Sequence, residues 1–123
     1  MGDFTAAGVL ADLRALGPVQ AVHGNMDDPA LRAELPARCV VEAEGITIGL
    51  VHDGGPAAGR TVRLANAFSG CSVVAYGHSH MPEVAREGHT WIVNPGSPTE
   101  RRRAPWHSMA VIRRGRPELV RLV

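Results

Sequence analysis

Several features that mark other classes of protein are scarce in this sequence. Lysine and arginine total 13 against 12 aspartate and glutamate, so the basic excess typical of general nucleic-acid or membrane-surface binders is missing. No apolar run approaches the roughly 20 residues of a membrane span, and no charged-then-apolar leader opens the chain. These absences predict a soluble cytoplasmic protein without general nucleic-acid binding and without a membrane partner.

Cysteine is also scarce, and so are repeats and low-complexity segments. Cys39 and Cys71 stand singly in apolar surroundings, without the paired spacing of a zinc ribbon or a thiol redox motif. We interpret them as buried reduced thiols, with metal ligation or a disulfide as the alternatives. A length of 123 residues without a linker predicts one domain over residues 1–123.

Helix and strand patterns alternate along the chain. Apolar residues at helical spacing predict a helix over residues 5–16 that ends at Gly17-Pro18, and a strand follows over 19–22. The further predicted elements are a helical turn over 28–35 with Asp28 as its cap and Pro29 at its first position, strands over 39–44 and 46–51, a helix over 56–68, a strand over 72–76, and hairpins joining 83–86 to 90–93 and 108–113 to 117–123. Alternation followed by consecutive strands predicts the α/β class, as a two-sheet α/β sandwich with outer helices.

Side chains that bind metals cluster at the ends of these segments. Gly-His-Ser-His at 77–80 follows strand 72–76, and alternate residues of an extended segment point the same way, so both imidazoles are expected to face one point. Three more clusters carry ligand-type residues: Gly-Asp at 2–3, Gly-Asn-Met-Asp at 24–27 and Val-His-Asp-Gly at 51–54. Because ligands gather beyond the carboxyl ends of strands in an open α/β sheet, we expect these clusters to converge on a metal.

In this order, Gly-Asp, Gly-Asn-x-Asp, His and Gly-His-x-His resemble the motifs of the calcineurin-like metallophosphoesterases, and within them the small YfcE-type phosphodiesterases. Asn-Pro-Gly-Ser at 94–97 is similar to the segment that follows the last site strand of that family. The resemblance runs from residue 2 almost to the end. It implies the calcineurin-like fold and a metal-dependent phosphoesterase that uses metal-activated water, with phosphodiesters favoured as small-molecule substrates.

The resemblance also implies a set of ligands. Asp3 would bridge two metals, Asn25, His52 and His78 would complete the shell of one, and His80 would bind the other. Asn25, His52 and His78 would also be the catalytic residues. A mixed nitrogen and oxygen shell with open positions suits Mn, Fe, Ni or Zn better than Mg or Ca, and Mn is our first expectation.

The opening part of the family pattern has no counterpart in the printed sequence. Relatives begin with a strand ending in Asp-x-His, then a helix and a second strand, a unit of roughly 30 residues or more. The expectation is therefore an N-terminally truncated fold with one intact and one depleted metal site, arising from a late recorded start or from a truncated product. The alternative function is an impaired domain that binds one metal or a phosphate compound without turnover.

This comparison with the family pattern predicts an uncovered surface as well. Val9, Leu10 and Leu13 would be partly uncovered, beside an unpaired edge of the strand over 19–22. Self-association as a homo-oligomer is the expected consequence.

Several candidates have a second interpretation that the residues alone leave open. Asp3 is equally suited to cap a helix that begins near residue 5, and Asn25 to form a tight turn. His52 would also fit a histidine at a strand end whose hydrogen bonds are satisfied without a metal. Asp27 and Asp53 fit either a carboxylate that orients a ligand or a simple turn residue.

Three further positions bear on substrates. Met26 stands where many relatives carry a histidine that assists the leaving group, which favours the small subgroup and esters with good leaving groups. His23 fits a phosphate contact or a strand-end residue without a role. The arginines at 101–103 fit contact with a polyanionic substrate or, more simply, a solvated charged face.

Overall fold

The computed structural model describes residues 7–24, 27, 29–43, 45–100 and 102–122, and for residues 7–9 it describes the backbone alone. Within these ranges the helices are α1 (Ala7–Leu16), α2 (Pro29–Glu34) and α3 (Arg60–Ala67). The strands are β1 (Arg38–Ala43), β2 (Ile46–Val51), β3 (Val73–Ala75), β4 (Glu83–Glu87), β5 (Thr90–Asn94), β6 (His107–Arg113) and β7 (Arg116–Leu122). No helix in these ranges is long and apolar enough to cross a membrane.

A mixed sheet has the strand order β1-β2-β3-β5-β4. The three strands β2, β3 and β5 are parallel, while β1 and β4 pair antiparallel at the two edges. Because the carboxyl ends of parallel strands meet at one edge of a sheet, the residues after these three strands lie close together. That edge holds the candidate site.

The two faces of this sheet are covered by different elements. Successive strand residues point to opposite faces, so Val74 packs with Leu64 and Phe68 on the side of α3, whereas Val73 lies in a cluster that Ile112 of β6 joins. β6 and β7 form a separate antiparallel sheet. The fold is thus the predicted two-sheet α/β sandwich, with α3 outside. Fully burying each such aliphatic side chain contributes about 1.5–3 kcal/mol.

The helices α1 and α2 pack around a smaller cluster. Leu10 of α1 is 1% exposed and packs with Leu31 and Leu35. The expectation that Leu10 would be uncovered is therefore wrong, because α2 covers it. Leu13 is 40% exposed, as expected, and the side chain of Val9 lies outside the described residues.

Most predicted elements are confirmed within one or two residues, with two corrections. Residues 18–24 form no strand, although Val22 is buried against the sheet. Apolar residues at these positions favour burial but do not themselves provide a neighbouring strand to pair with. The helix expected over 56–68 begins only at Arg60, since Gly59 before it has a φ of 69°, in the left-handed region.

The cysteines are both free thiols, as predicted, but only Cys71 is buried, and Cys39 on the edge strand β1 is half-buried. Desolvation raises the pKa of both thiols, so both are less acidic than an exposed cysteine.

Candidate metal centre

Three parallel strands deliver side chains to one edge of the sheet. His52 directly follows β2, His78 lies three residues after β3, and Asn94 is the last residue of β5. The backbone continues this adjacency beyond the strands, because the Gly77 N–H donates to the His52 carbonyl oxygen at 2.7 Å. The loops that carry the two histidines are therefore hydrogen-bonded neighbours.

The rings of His52 and His78 face each other closely. The Nδ1 atom of His78 lies 3.3 Å from Nε2 of His52, and the ring centroids are 5.2 Å apart at an interplanar angle of 84°. Which of the two nitrogens donates depends on the tautomers of the two rings. His52 is buried, with 6% of its surface exposed, so its ring is fixed by packing as well as by this contact.

This nitrogen pair fits a shared metal ion. Two nitrogens that bind one ion at about 2.1 Å, with an angle of roughly 90° to 109° between them, lie about 3.0–3.4 Å apart. The observed 3.3 Å falls in that range, so the separation of the two nitrogens is compatible with two ligands of one ion. Neutral imidazole supplies the required lone pairs.

His80 has a different environment. Its Nδ1 lies at hydrogen-bond distance from the carbonyl oxygen of Glu100, and an N–H at Nδ1 leaves Nε2 as the nitrogen free to bind a metal. His78 and His80 have φ values of 72° and 61°, so the segment is not extended and the expectation that both rings face one point for that reason is wrong. Among the described residues, no group of three or more His, Cys, Asp or Glu side chains is placed to hold a metal.

The side chain of Asn94 holds the histidine loop by hydrogen bonds. Its side chain is fully buried, and Nδ2 donates to the carbonyl oxygen of Gly77 at 3.3 Å and to Oγ of Ser79 at 3.1 Å. Its Oδ1 accepts from the Gly96 N–H at 3.0 Å. Asn94 therefore links the loop after β3 to the turn after β5. Sequence reasoning identified Asn94 only as part of the motif at 94–97. The signal that could have singled it out is an asparagine at the end of an apolar strand.

A second set of contacts braces the loop after His52. Arg60 of α3 donates from Nη2 to the Gly55 carbonyl oxygen at 2.9 Å and from Nη1 to the Tyr76 hydroxyl at 3.2 Å. The Tyr76 hydroxyl donates to Glu83 at 2.7 Å. Burial and this bond to Glu83 raise the pKa of Tyr76. Sequence reasoning missed this network, since no local pattern joins a residue of α3, the residue after β3 and a residue of β4.

The two aspartates that had alternative interpretations both close turns. Asp53 accepts from the Gly55 N–H at 2.8 Å, and Asp27 accepts from the Gly24 N–H at 2.7 Å. Asp27 is buried, and Asp27 and Gly24 flank position 25 in the sequence. Directly before Gly24, Nδ1 of His23 is buried without a hydrogen-bond partner among the described residues.

Part of the predicted site lies outside the described residues. This applies to Asp3 and Asn25, and to Met26. The assignment of Asp3 and Asn25 as ligands stays a prediction, and so does that of Met26 to the position where many relatives carry a histidine. The described residues bring His52 and His78 together and place His80 beside the next loop.

Known proteins share both the sequence pattern and the fold. The calcineurin-like phosphoesterase superfamily domain matches residues 1–114. A probable metallophosphoesterase of Methanothermobacter thermautotrophicus is 35% identical over 100 residues, which cover 80% of this chain and 58% of that protein. The chain thus spans little more than half the length of this relative.

Solved structures share the fold of this chain. A Thermotoga maritima protein solved by solution NMR superimposes with a TM-score of 0.72 at 31% identity, covering 99% of this chain and 78% of the other. A novel archaeal phosphodiesterase superimposes with a TM-score of 0.78 at 18% identity, covering 98% and 79%, and at that identity it shows the fold alone. The chain belongs to the calcineurin-like phosphoesterase superfamily, a family of hydrolases that use divalent metals.

Proposed function

We propose that this chain is a metal-dependent phosphoesterase that hydrolyses phosphodiesters, with metal-activated water as the nucleophile. The observation that carries the proposal is the 3.3 Å approach of His52 Nε2 and His78 Nδ1 at the carboxyl ends of two parallel strands. Two imidazole nitrogens placed in this way fit one divalent ion. The proposed ligand set is Asp3, Asn25, His52, His78 and His80.

Each described residue has a definite task in this proposal. A bound divalent ion would supply an activated water and would neutralise charge on the phosphoryl oxygens. His52 and His78 hold their rings at fixed positions, because packing fixes the first and Asn94 fixes the loop of the second. The carbonyl of Glu100 directs Nε2 of His80 as the metal-binding nitrogen.

Met26 supports the preference for phosphodiesters with good leaving groups. A methionine side chain has no proton to give to a departing alkoxide, so esters whose leaving group needs little protonation are favoured. We also propose Mn as the preferred ion, one domain over residues 1–123, a small-molecule substrate, a possible homo-oligomer and a cytoplasmic location. The family match and the mixed nitrogen and oxygen ligands support a divalent metal in general.

The test is hydrolysis of bis(p-nitrophenyl) phosphate by the purified chain with and without Mn. We expect Mn-dependent turnover that falls by about 100-fold or more in His78→Ala, since loss of a ligand exceeds the 10- to 100-fold cost of losing an outer-shell partner. His89→Ala is the matched control, because His89 is exposed in the hairpin between β4 and β5. Thermal melts of both variants separate loss of chemistry from loss of fold.

A second candidate is a domain that binds one metal or a phosphate compound without turnover. It is favoured by the described geometry of His80, whose ring lies against Glu100 and does not join the other two histidines. Mn binding by titration that depends on His78, without hydrolysis of p-nitrophenyl esters, would support this candidate. Absence of both binding and turnover would contradict both candidates.

A further inference from the structure

The loop after β5 lies against the loop that carries the candidate histidines. Two contacts join the loops: His80 Nδ1 approaches the carbonyl oxygen of Glu100, and Arg102 Nη1 donates to the carbonyl oxygen of His78 at 3.1 Å. The loop is anchored on both sides of Arg102. Ser97 accepts from the Glu100 N–H at 3.1 Å, and Ala104 is 1% exposed.

We propose that Arg102 is a substrate-binding residue that holds an anionic phosphate group beside the His52–His78 pair. The proposal rests on the proposed function, because it assigns a second contact to the same substrate. It selects Arg102 over Arg103, and Arg101 lies outside the described residues. The ligand class is a phosphate ester or inorganic phosphate.

The first argument is the position of the guanidinium. A hydrogen bond to the His78 carbonyl oxygen places it against the backbone of the residue whose ring pairs with His52. A guanidinium has five N–H donors in a planar fork, and the structure uses one of them. The remaining donors have no partner among the described residues, so they can bind phosphate oxygens in the paired geometry that arginine favours.

The second argument is the unbalanced charge. In the described part of the chain the ion pairs join Arg14 to Glu34 and Arg113 to Glu118, and neither involves Arg102. Glu100, the nearest acidic residue in sequence, is held through its backbone and does not pair with Arg102. The positive charge therefore remains available to an anion at the site.

The third argument is the backbone conformation. Among the described residues, the non-glycine positions with positive φ are His78, His80, Arg102 and Arg114. Arg114 lies in the β6–β7 turn, whereas the other three meet at the candidate site. A left-handed conformation costs a non-glycine residue free energy and recurs where a side chain must be held at a functional site. Arg102, with a φ of 51°, shares this property with the two histidines.

Arg103 offers a matched control. It is exposed like Arg102 and adjacent to it, but it makes no hydrogen bond or ion pair with the histidine loop among the described residues. Replacing either arginine by alanine removes the same charge from the same surface. A specific contact therefore predicts different losses, and a diffuse electrostatic field predicts similar ones.

The experiment measures inorganic phosphate binding to the Mn-loaded chain by calorimetry, for the wild type, Arg102→Ala, Arg102→Lys and Arg103→Ala. We expect the phosphate Kd to rise about tenfold or more in Arg102→Ala, the scale of one charge-assisted hydrogen bond, to recover partly in Arg102→Lys, and to stay near wild type in Arg103→Ala. Mn affinity is measured for each variant, and phosphate binding is compared at saturating Mn. Equal losses in Arg102→Ala and Arg103→Ala, or no phosphate binding by the wild type, would overturn the proposal.

The same proteins, assayed with bis(p-nitrophenyl) phosphate, separate this inference from the proposed function. We expect KM to rise about tenfold in Arg102→Ala with kcat little changed. Phosphate binding that depends on Arg102 in a chain without turnover would refute the proposed enzyme and leave the phosphate contact in place. Turnover with a KM indifferent to Arg102 would refute the contact and leave the enzyme.

Discussion

In the five-stranded sheet, side chains of β3 and β5 are buried on both faces, whereas the N-terminal arm, residues 7–36, packs around a few leucines. Val73, Val74 and Ile92 are 0% exposed in the sheet. In the arm, Leu10 and Leu31 are 1% exposed, but Leu16 at the end of α1 is 85% exposed. The apolar side chains of the arm are therefore less uniformly buried than those of β3 and β5 in the sheet.

The polar contacts of the sheet are also more buried than those of the arm. In the sheet, the side-chain amide of Asn94 makes a buried hydrogen bond to Gly77. In the arm, Arg14 and Glu34 form an ion pair whose side chains are 48% and 51% exposed. Exposed ion pairs contribute little, about 0–1 kcal/mol. Val22 connects the arm to the core of the sheet.

This difference divides the candidate site. His52 and His78 follow strands of the sheet, whereas Gly24 and Asp27, which flank position 25 in the sequence, belong to the arm. A metal centre that needs both regions depends on their association. We expect the part of the site that holds His52 and His78 to stay folded when the arm opens, because elements with few buried contacts open at lower free energy.

The largest expected effect separates the stabilities of the two regions. Ile92→Ala should lower the free energy of unfolding by about 3–4 kcal/mol, since it leaves a cavity in the sheet core. Leu31→Ala should cost less globally and should instead speed amide exchange in the arm, leaving residues 73–94 protected. Urea melts and hydrogen exchange with mass spectrometry measure both. Equal loss of protection in arm and sheet after Leu31→Ala would mean that the two regions form one cooperative unit.

A smaller effect tests whether the sheet region positions the histidines. Asn94→Ala removes the donor to Gly77 and Ser79, so we expect a loss of about 2–3 kcal/mol in stability and 10- to 100-fold in Mn affinity. Ser79→Ala removes only one acceptor and should cost about 1 kcal/mol. Mn titration followed by electron paramagnetic resonance gives the affinities. An unchanged Mn affinity in a folded Asn94→Ala protein would show that the loop is held without Asn94.

The sequence predicted an element correctly where that element depends on neighbouring residues, and it failed where the element depends on residues distant in the chain. The hairpins of β4–β5 and β6–β7 were predicted correctly, and so were β1 and β2 as two strands, because turn residues and alternation lie in one short segment. The strand over 19–22 was wrong because a strand also needs a long-range partner. Its burial was nevertheless correct for Val22, which packs against the sheet.

The candidate site was predictable to the same extent. His52 and His78 were named from their motifs, and the parallel pairing of β2 with β3 places them together as expected. The direction of His80 was not predictable, because positive φ at His78 and His80 breaks the alternation of an extended chain. The bracing by Arg60 and Asn94 depends on tertiary contacts that no local pattern encodes.

The smallest expected effect concerns Tyr76, which joins the two site loops to β4 through Arg60 and Glu83. Tyr76→Phe removes both hydrogen bonds, so it should cost about 1–2 kcal/mol at pH 7. Burial and the bond to Glu83 raise the pKa of Tyr76 above its ordinary value of about 10, so the unfolded chain loses this proton at lower pH than the folded protein does.

The Tyr76 contribution to stability is thus fully present below about pH 10 and is lost as pH rises through the raised pKa. The stability difference between wild type and Tyr76→Phe should therefore be constant from pH 7 to pH 9 and should narrow above that. Urea melts at each pH measure this difference. A difference that grows with alkalinity would contradict the raised pKa, and no difference at pH 7 would show that the sheet holds the site loops without this network.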